Sequence, residues 1–87
     1  MTPTAVAVQT ASTVVLAANP NRRYAVFMND SNKSIYLSLG ATAVLHAGIE
    51  LSATNGHYEI NDSNLFLGAI YAIAEGGDKV LTVTEGV

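Results

Sequence analysis

Two apolar runs flanking a short polar turn constrain this chain more than any other feature in it. From Arg23 to Met28 both alternating registers carry apolar side chains, Tyr24, Val26 and Met28 on one and Ala25 and Phe27 on the other. A strand without a polar face has to be covered on both sides, or nearly so. Ser34 to Leu39 alternates more strictly, with Ile35, Leu37 and Leu39 on one face and Ser34, Tyr36 and Ser38 on the other. Between them lies Asn29-Asp30-Ser31-Asn32-Lys33, rich in side chains that bond their own backbone and accept turn geometry. The stretch reads as a β-hairpin, and the fold is expected to be organised around that pair.

The rest of the chain repeats the same grammar. Met1 to Ala18 has no charged side chain and is dominated by Thr, Ala and Val. Its β-branched content argues against a helix. Thr4, Val6 and Val8 share one face of an extended strand, and Thr13 to Leu16 is a second β-branched run. Residues 1–18 are therefore read as an edge strand or an arm reaching a neighbouring subunit, and residues 19–87 as a single β domain. Pro20 ends the first segment, because it fixes its own φ and pushes Asn19 away from helical angles. Gly48 to Leu51 and His57 to Ile60 flank Asn55-Gly56, the clearest two-residue turn signal in the chain. Gly68 to Ala74 reads as a second buried strand, and Glu75-Gly76-Gly77-Asp78 turns it back. Lys79 to Glu85 then alternates, with Leu81 and Val83 inward and Thr82 and Thr84 outward. Short strands at regular spacing with turn chemistry between them indicate an all-β fold, a small antiparallel β-sandwich or barrel-like module.

Composition narrows the class. A chain of 87 residues buries only about 60–65% of the surface it exposes when unfolded. It has no cysteine, so neither a disulfide nor a cysteine zinc site can supplement the core. Only 13% of its residues are charged, about half the usual fraction. That deficit points to a protomer whose surface is partly covered by a neighbour, or else to a Thr-, Ser- and Asn-rich uncharged surface. Net charge is −3 and Arg22-Arg23 is the only adjacent basic pair, so no nucleic-acid partner is expected. The most apolar run, Leu65 to Ala74, contains a glycine and is half the length of the about twenty residues a membrane helix needs. No Lys or Arg stands near Met1, so no secretory signal is expected either.

The motifs that carry chemistry are absent. There is no Gly-x-Ser-x-Gly elbow and no activated cysteine, so no catalytic residue is assigned and an enzyme is not expected. Asn-Asp-Ser-Asn occurs at 29–32 and 61–64, but neither copy continues as a calcium loop does. Each copy is followed by Leu-x-Leu-Gly-Ala, at 37–41 and 65–69, at unequal intervals that favour reuse of turn residues over duplication. His46 and His57, with Glu50 or Glu59, have no spacing that demands a metal, and no cofactor is expected. Tyr36 stands alone among serines on the polar face of its strand, which makes it the leading contact residue for a subunit or a ligand. Thr4, Val6, Val8, Thr82 and Thr84 are the other expected partner contacts. Arg22 or Arg23 is expected to form a structural ion pair with Glu59 or Glu85.

Several pieces together resemble small virion proteins of tailed bacteriophages. They are Asn19-Pro20-Asn21-Arg22-Arg23-Tyr24 leading into an apolar strand with Asn29, and Ile35-Tyr36-Leu37-Ser38-Leu39-Gly40. Gly48-Ile49-Glu50-Leu51, Gly56-His57-Tyr58-Glu59-Ile60, Gly68-Ala69-Ile70-Tyr71-Ala72-Ile73 and Val83-Thr84-Glu85-Gly86 follow in the same order. The resemblance covers residues 16–87. It implies a structural protein on the capsid surface of the virion, made in the host cytoplasm: a decoration (cement) protein, or the base of a head fibre. It further implies a homo-oligomer, a trimer, that binds the major capsid protein. The competing reading is a tail- or fibre-associated module recognising host-surface carbohydrate through Tyr36.

Overall fold

Eight strands and no helix make up residues 2–87, which the computed structural model describes. They are β1 (Thr2–Val8), β2 (Thr13–Leu16), β3 (Tyr24–Asn29) and β4 (Ile35–Leu39), then β5 (Ile49–Leu51), β6 (His57–Ile60), β7 (Ile70–Ala74) and β8 (Lys79–Gly86). The pairing is nested. β1 pairs with β8, β2 with β7, β3 with β6 and β4 with β5, all antiparallel. The first four strands thus form one arm of a long hairpin and the last four the other. The hairpin is rolled up, so that β8 also pairs with β3 and β7 with β4. Two four-stranded sheets result, β1-β8-β3-β6 (sheet A) and β2-β7-β4-β5 (sheet B). The protein is a small β-sandwich with the strand order of a jelly roll.

This order corrects the hairpin expected at residues 23–39. β3 and β4 do not pair; they lie in opposite sheets. The intervening turn is an arch across the sandwich, and Asn29 explains why. Its side chain is fully buried, with Nδ2 donating to the carbonyls of Lys33 (2.7 Å), Leu51 (2.8 Å) and Ser52 (3.1 Å), while Oδ1 accepts from Ser31 Oγ (2.7 Å). An amide whose two hydrogens are shared among the turn's own carbonyl and two at the end of β5 holds the chain in the crossing. The expectation that β3 is covered on both sides is corrected too. Ala25 and Phe27 are buried, but Tyr24 and Val26 are only half-buried and Met28 is 40% exposed.

The Asn55-Gly56 turn is a second correction. β5 and β6 again occupy different sheets. Positive φ falls on Thr54 (59°) and Asn55 (75°), one residue earlier than an Asn-Gly hairpin turn would place it. Gly56 is needed for space: a Cβ there would lie 2.3 Å from the Ser52 amide nitrogen. Thr54 N–H and Asn55 N–H instead donate to the carbonyls of Ser31 and Asn29, so this turn docks on the β3–β4 arch.

The core lies between the sheets. Sheet A contributes Val8, Ala25, Phe27, Ile60, Leu81 and Val83; sheet B contributes Val15, Ile35, Leu37, Leu51, Ile70, Ala72 and Ala74. Each fully buried large side chain adds about 1.5–3 kcal/mol by transfer from water. β1 and β2 are the edge strands on one side of the sandwich, each with one buried valine, Val8 or Val15, and a half-buried neighbour, Val6 or Leu16, packed on the core. The second Leu-x-Leu-Gly-Ala, at 65–69, lies outside any strand, whereas the first begins in β4.

Arg22 closes the end opposite Asn29. Its side chain is fully buried, and Nε donates to Glu85 Oε2 at 2.8 Å. Nη1 donates to the carbonyls of Phe66 (2.7 Å) and Gly68 (2.9 Å), and Nη2 to that of Ala17 (2.6 Å). One planar fork therefore joins the ends of β2 and β8 to the β6–β7 connection. Removing it strands three carbonyls and a partly buried carboxylate. Arg22→Met is expected to cost about 3–5 kcal/mol, a fall of more than about 10 °C in Tm for a domain of this size. Arg22→Lys should fall between the two, because it keeps the charge but not the fork. A Tm for Arg22→Met within the wild-type error would remove the clamp from this account.

Candidate functional site

The residues that reach solvent decide what this fold can do, and the two sheets differ sharply in what they present. On sheet A the register sets Val26 beside Thr84 and Met28 beside Thr82. It sets Pro3, Ala5 and Ala7 of β1 against Thr84, Thr82 and Val80. The outward positions of β1, β8 and β3 thus carry no charged side chain. The first appears on β6, where Glu59 lies opposite Val26. Met28 at 40% and Val80 at 36% exposure are the large apolar groups on this face. Their partners are short: Ala, Thr and Pro give a flat surface.

Sheet B's outer face is covered by the protein itself. Residues 40–48, between β4 and β5, fold back across it. The segment leaves β4 at Gly40 (φ 79°) and returns at Gly48 (φ 87°), with His46 also in the left-handed region (φ 64°). Gly48 has no alternative, since a Cβ there would sit 2.5 Å from the Leu37 carbonyl oxygen. Ala43 is buried against Tyr36, Ile73 and Tyr71 in a small second core, and its amide donates to Ser12 Oγ at 2.9 Å. His46 Nδ1 lies 3.0 Å from the Tyr36 hydroxyl, with the two rings edge to face at 5.3 Å. Tyr36 also donates to Glu50 Oε2 at 3.4 Å, and Glu50 accepts from Ser34 Oγ at 3.1 Å. His46 Nε2 is 3.9 Å from Glu75. Burial, followed by the negative charges of Glu50 and Glu75, raises the Tyr36 pKa above the ordinary tyrosine value.

The side of the sandwich where β1 and β2 run is open. A hollow of about 440 Å³ lies between them, lined by residues 14–17 around β2, by Thr4, Val83 and Val87, and by the charged Glu85. Val14 is 51% exposed at its rim. A second hollow, of about 570 Å³, adjoins it through Val87 and is lined by Leu65, Leu67 and the 20–23 turn.

These placements sort the sequence-derived residues. Val8 is a core residue with no exposed surface, and Val6 packs half-buried on the same core, so Val8 is not a partner contact. Inward alternation on β1 brings them there. Thr4 belongs to the same register but is exposed at the open hollow. Thr82 and Thr84 lie half-buried on the outward face of sheet A. Tyr36 is corrected: it faces outward from its strand but is only 7% exposed beneath the 40–48 segment. Arg22 is bonded to Glu85, while Arg23 and Glu59 are exposed and make no ion pair among the described residues. Sequence reasoning missed the Tyr24–Val26–Met28 face, read as buried, and His46 as the cover of Tyr36. The glycines bracketing residues 41–47 were the available signal for the latter.

Among the described residues, no group of three or more His, Cys, Asp and Glu side chains is placed to hold a metal ion. Comparison with protein-family models, curated proteins and solved structures returns no match. The described residues present three surface features: a flat, largely uncharged sheet face, a latched cover and an open edge.

The latch makes a pH-dependent prediction. The folded pKa of Tyr36 lies above its unfolded value, so the folded state holds that proton more tightly. The associated stability is fully present below the unfolded pKa and is lost as pH rises through the folded one. Denaturation of wild type across the alkaline range should show this loss, and Tyr36→Phe should lack that component. Identical slopes for the two proteins would show that the Tyr36 phenol is not held by the latch.

Proposed function

We propose that this protein is a capsid decoration (cement) protein of a tailed bacteriophage, which binds the major capsid protein on the outside of the head and stabilises it as an assembly of copies. The observation that carries the reading is the charge-free outward face of β1, β8 and β3. A chain with so few charges leaves three of the four strands of this sheet face without any, around Tyr24, Val26, Met28, Val80, Thr82 and Thr84. Interface cores are depleted of charge in the same way. A flat face of short side chains suits close lateral packing on another protein surface. The jelly-roll order agrees with this use at the level of analogy, since the same architecture serves viral capsid proteins and also lectins and cupins. The resemblance of residues 16–87 to small virion proteins supports the same reading.

The carbohydrate-binding alternative has less support. Its anchor, Tyr36, is covered, and the Tyr36 hydroxyl is already bonded within the latch.

Cosedimentation with capsid shells assembled from the major capsid protein of the phage that carries this chain tests the proposal. Wild type should pellet with the shells and raise their melting temperature. Met28→Asp, at an exposed position that leaves the core untouched, should stay folded and remain in the supernatant. Failure of wild type to bind shells, or its absence from purified virions, would overturn the reading.

A further inference from the structure

We infer that β1 is a self-pairing edge: two copies join through their Thr2–Val8 strands, antiparallel about a two-fold axis, and merge two A sheets into one continuous eight-stranded sheet.

The argument begins with the four edges of the sandwich. β2, β5, β6 and β1 each have one side that no other strand pairs with among the described residues. Such an edge presents a row of backbone donors and acceptors that templates another strand, and folded proteins blunt it with short length, charge or bulges. Three of the edges here are blunted. β5 is three residues long. β6 is four residues long and carries Glu59 and His57 on its outward face. β2 is four residues long and its register slips between Val14 and Leu16. β1 is seven residues long, in unbroken register with β8, and has no charged side chain. Its one blunting device is Pro3, which removes a single donor near the start and leaves Thr4 to Val8 intact.

A second, independent observation lies beside that edge. The hollow between β1 and β2, with Glu85 in its lining, opens along the same side, and Thr4, although on the inward register, is exposed to it. An occupant must therefore supply an extended backbone to β1 and alternate small or apolar side chains to the hollow. β1 has that chemistry: Thr4 and Val6 on one face, Ala5 and Ala7 on the other. Pairing like with like meets no charge repulsion, since neither strand carries a charge. A two-fold axis makes the contact isologous and closed, which spares the edge from open-ended growth. A standard interface covers about 800 Å² per partner, roughly a sixth of the 4599 Å² that this chain exposes. Strand pairing alone gives less than that, and closure over the hollow supplies the rest.

In full overlap Thr2 opposes Val8, Pro3 opposes Ala7, and the axis passes midway between the two copies of Ala5, so Ala5 faces its own copy. The inference does not depend on what the assembly decorates, and a failure to bind capsids leaves it standing.

The test is the solution mass, by light scattering, of wild type and of an Ala5→Lys, Ala7→Lys double variant. Both positions are exposed and outward, so the variant should keep the wild-type fold, checked by circular dichroism. Wild type should have twice the chain mass and the variant the mass of one chain. Because the chain has no native cysteine, Ala5→Cys gives a second readout. Opposed Cα atoms about 4.5–5.5 Å apart suit a disulfide, so mild oxidation should yield a covalent dimer, while Val14→Cys should not. Wild type at one chain mass, a threefold mass, or an oligomer that survives the double lysine variant would each overturn the inference.

Discussion

The structure depends on the buried guanidinium of Arg22. The chain has no disulfide and no helix to brace the ends of its sheets, and the strands that must be held together come from distant parts of the sequence. Arg22 solves that with one side chain. Its fork reaches β8 through Glu85, the end of β2 through Ala17, and the connection before β7 through Phe66 and Gly68. A buried charge is costly unless it is paired and hydrogen-bonded, and here four bonds converge on one carboxylate and three backbone carbonyls. Asn29 performs the matching task at the far end of β3 with a neutral amide. Among the described residues these are the two buried polar or charged side chains outside the aromatic set, and they bracket a single strand. β3 is thereby fixed at both ends, and β8 and β6 pair on either side of it.

The alternation of apolar side chains located the strands well, because period two is imposed locally by backbone geometry. β4 and β8 stand where their patterns placed them, with Leu81 and Val83 inward. Pairing was not legible, since an arch and a hairpin share one local signature: a polar turn between two alternating runs. What separates them is whether the turn's polar groups bond locally or across the sandwich, and that depends on residues more than twenty positions away, as Asn29 with Leu51 and Ser52 shows. The Asn55-Gly56 dipeptide misled for a related reason. Its glycine serves close approach to Ser52, not a hairpin's positive φ.

The candidate surfaces were legible in a similarly uneven way. Low charge signalled that much of the exterior is uncharged, but not where. Tyr36 stood out as an aromatic among serines; its cover, residues 41–47, is weakly patterned and gave no sign of lying over it. Conversely, Tyr24, Val26 and Met28 have the look of a buried register, and become a surface because no layer packs outside sheet A. The two faces of the sandwich thus follow opposite strategies. Sheet B is capped by its own connection, sheet A is left bare, and the asymmetry gives the module a definite inside and outside.

The nested pairing also dictates the order in which this molecule can come into being. Sheet A is held together by β8, which lies between β1 and β3, so β1 has no partner until almost the whole described chain has been synthesised. Every pairing except that of β4 with β5 joins segments far apart in sequence, and such topologies fold slowly because the loop-closure entropy comes first. β4 and β5 form the natural seed, and the roll then tightens outward from it, β7 and β6 before β2 and β8. The strand that waits longest is also the longest of the strands without a charged side chain. During that interval an uncharged β1 is as available to a neighbouring nascent chain as to its own β8, so the rate of closing the roll sets how faithfully each molecule keeps its first strand.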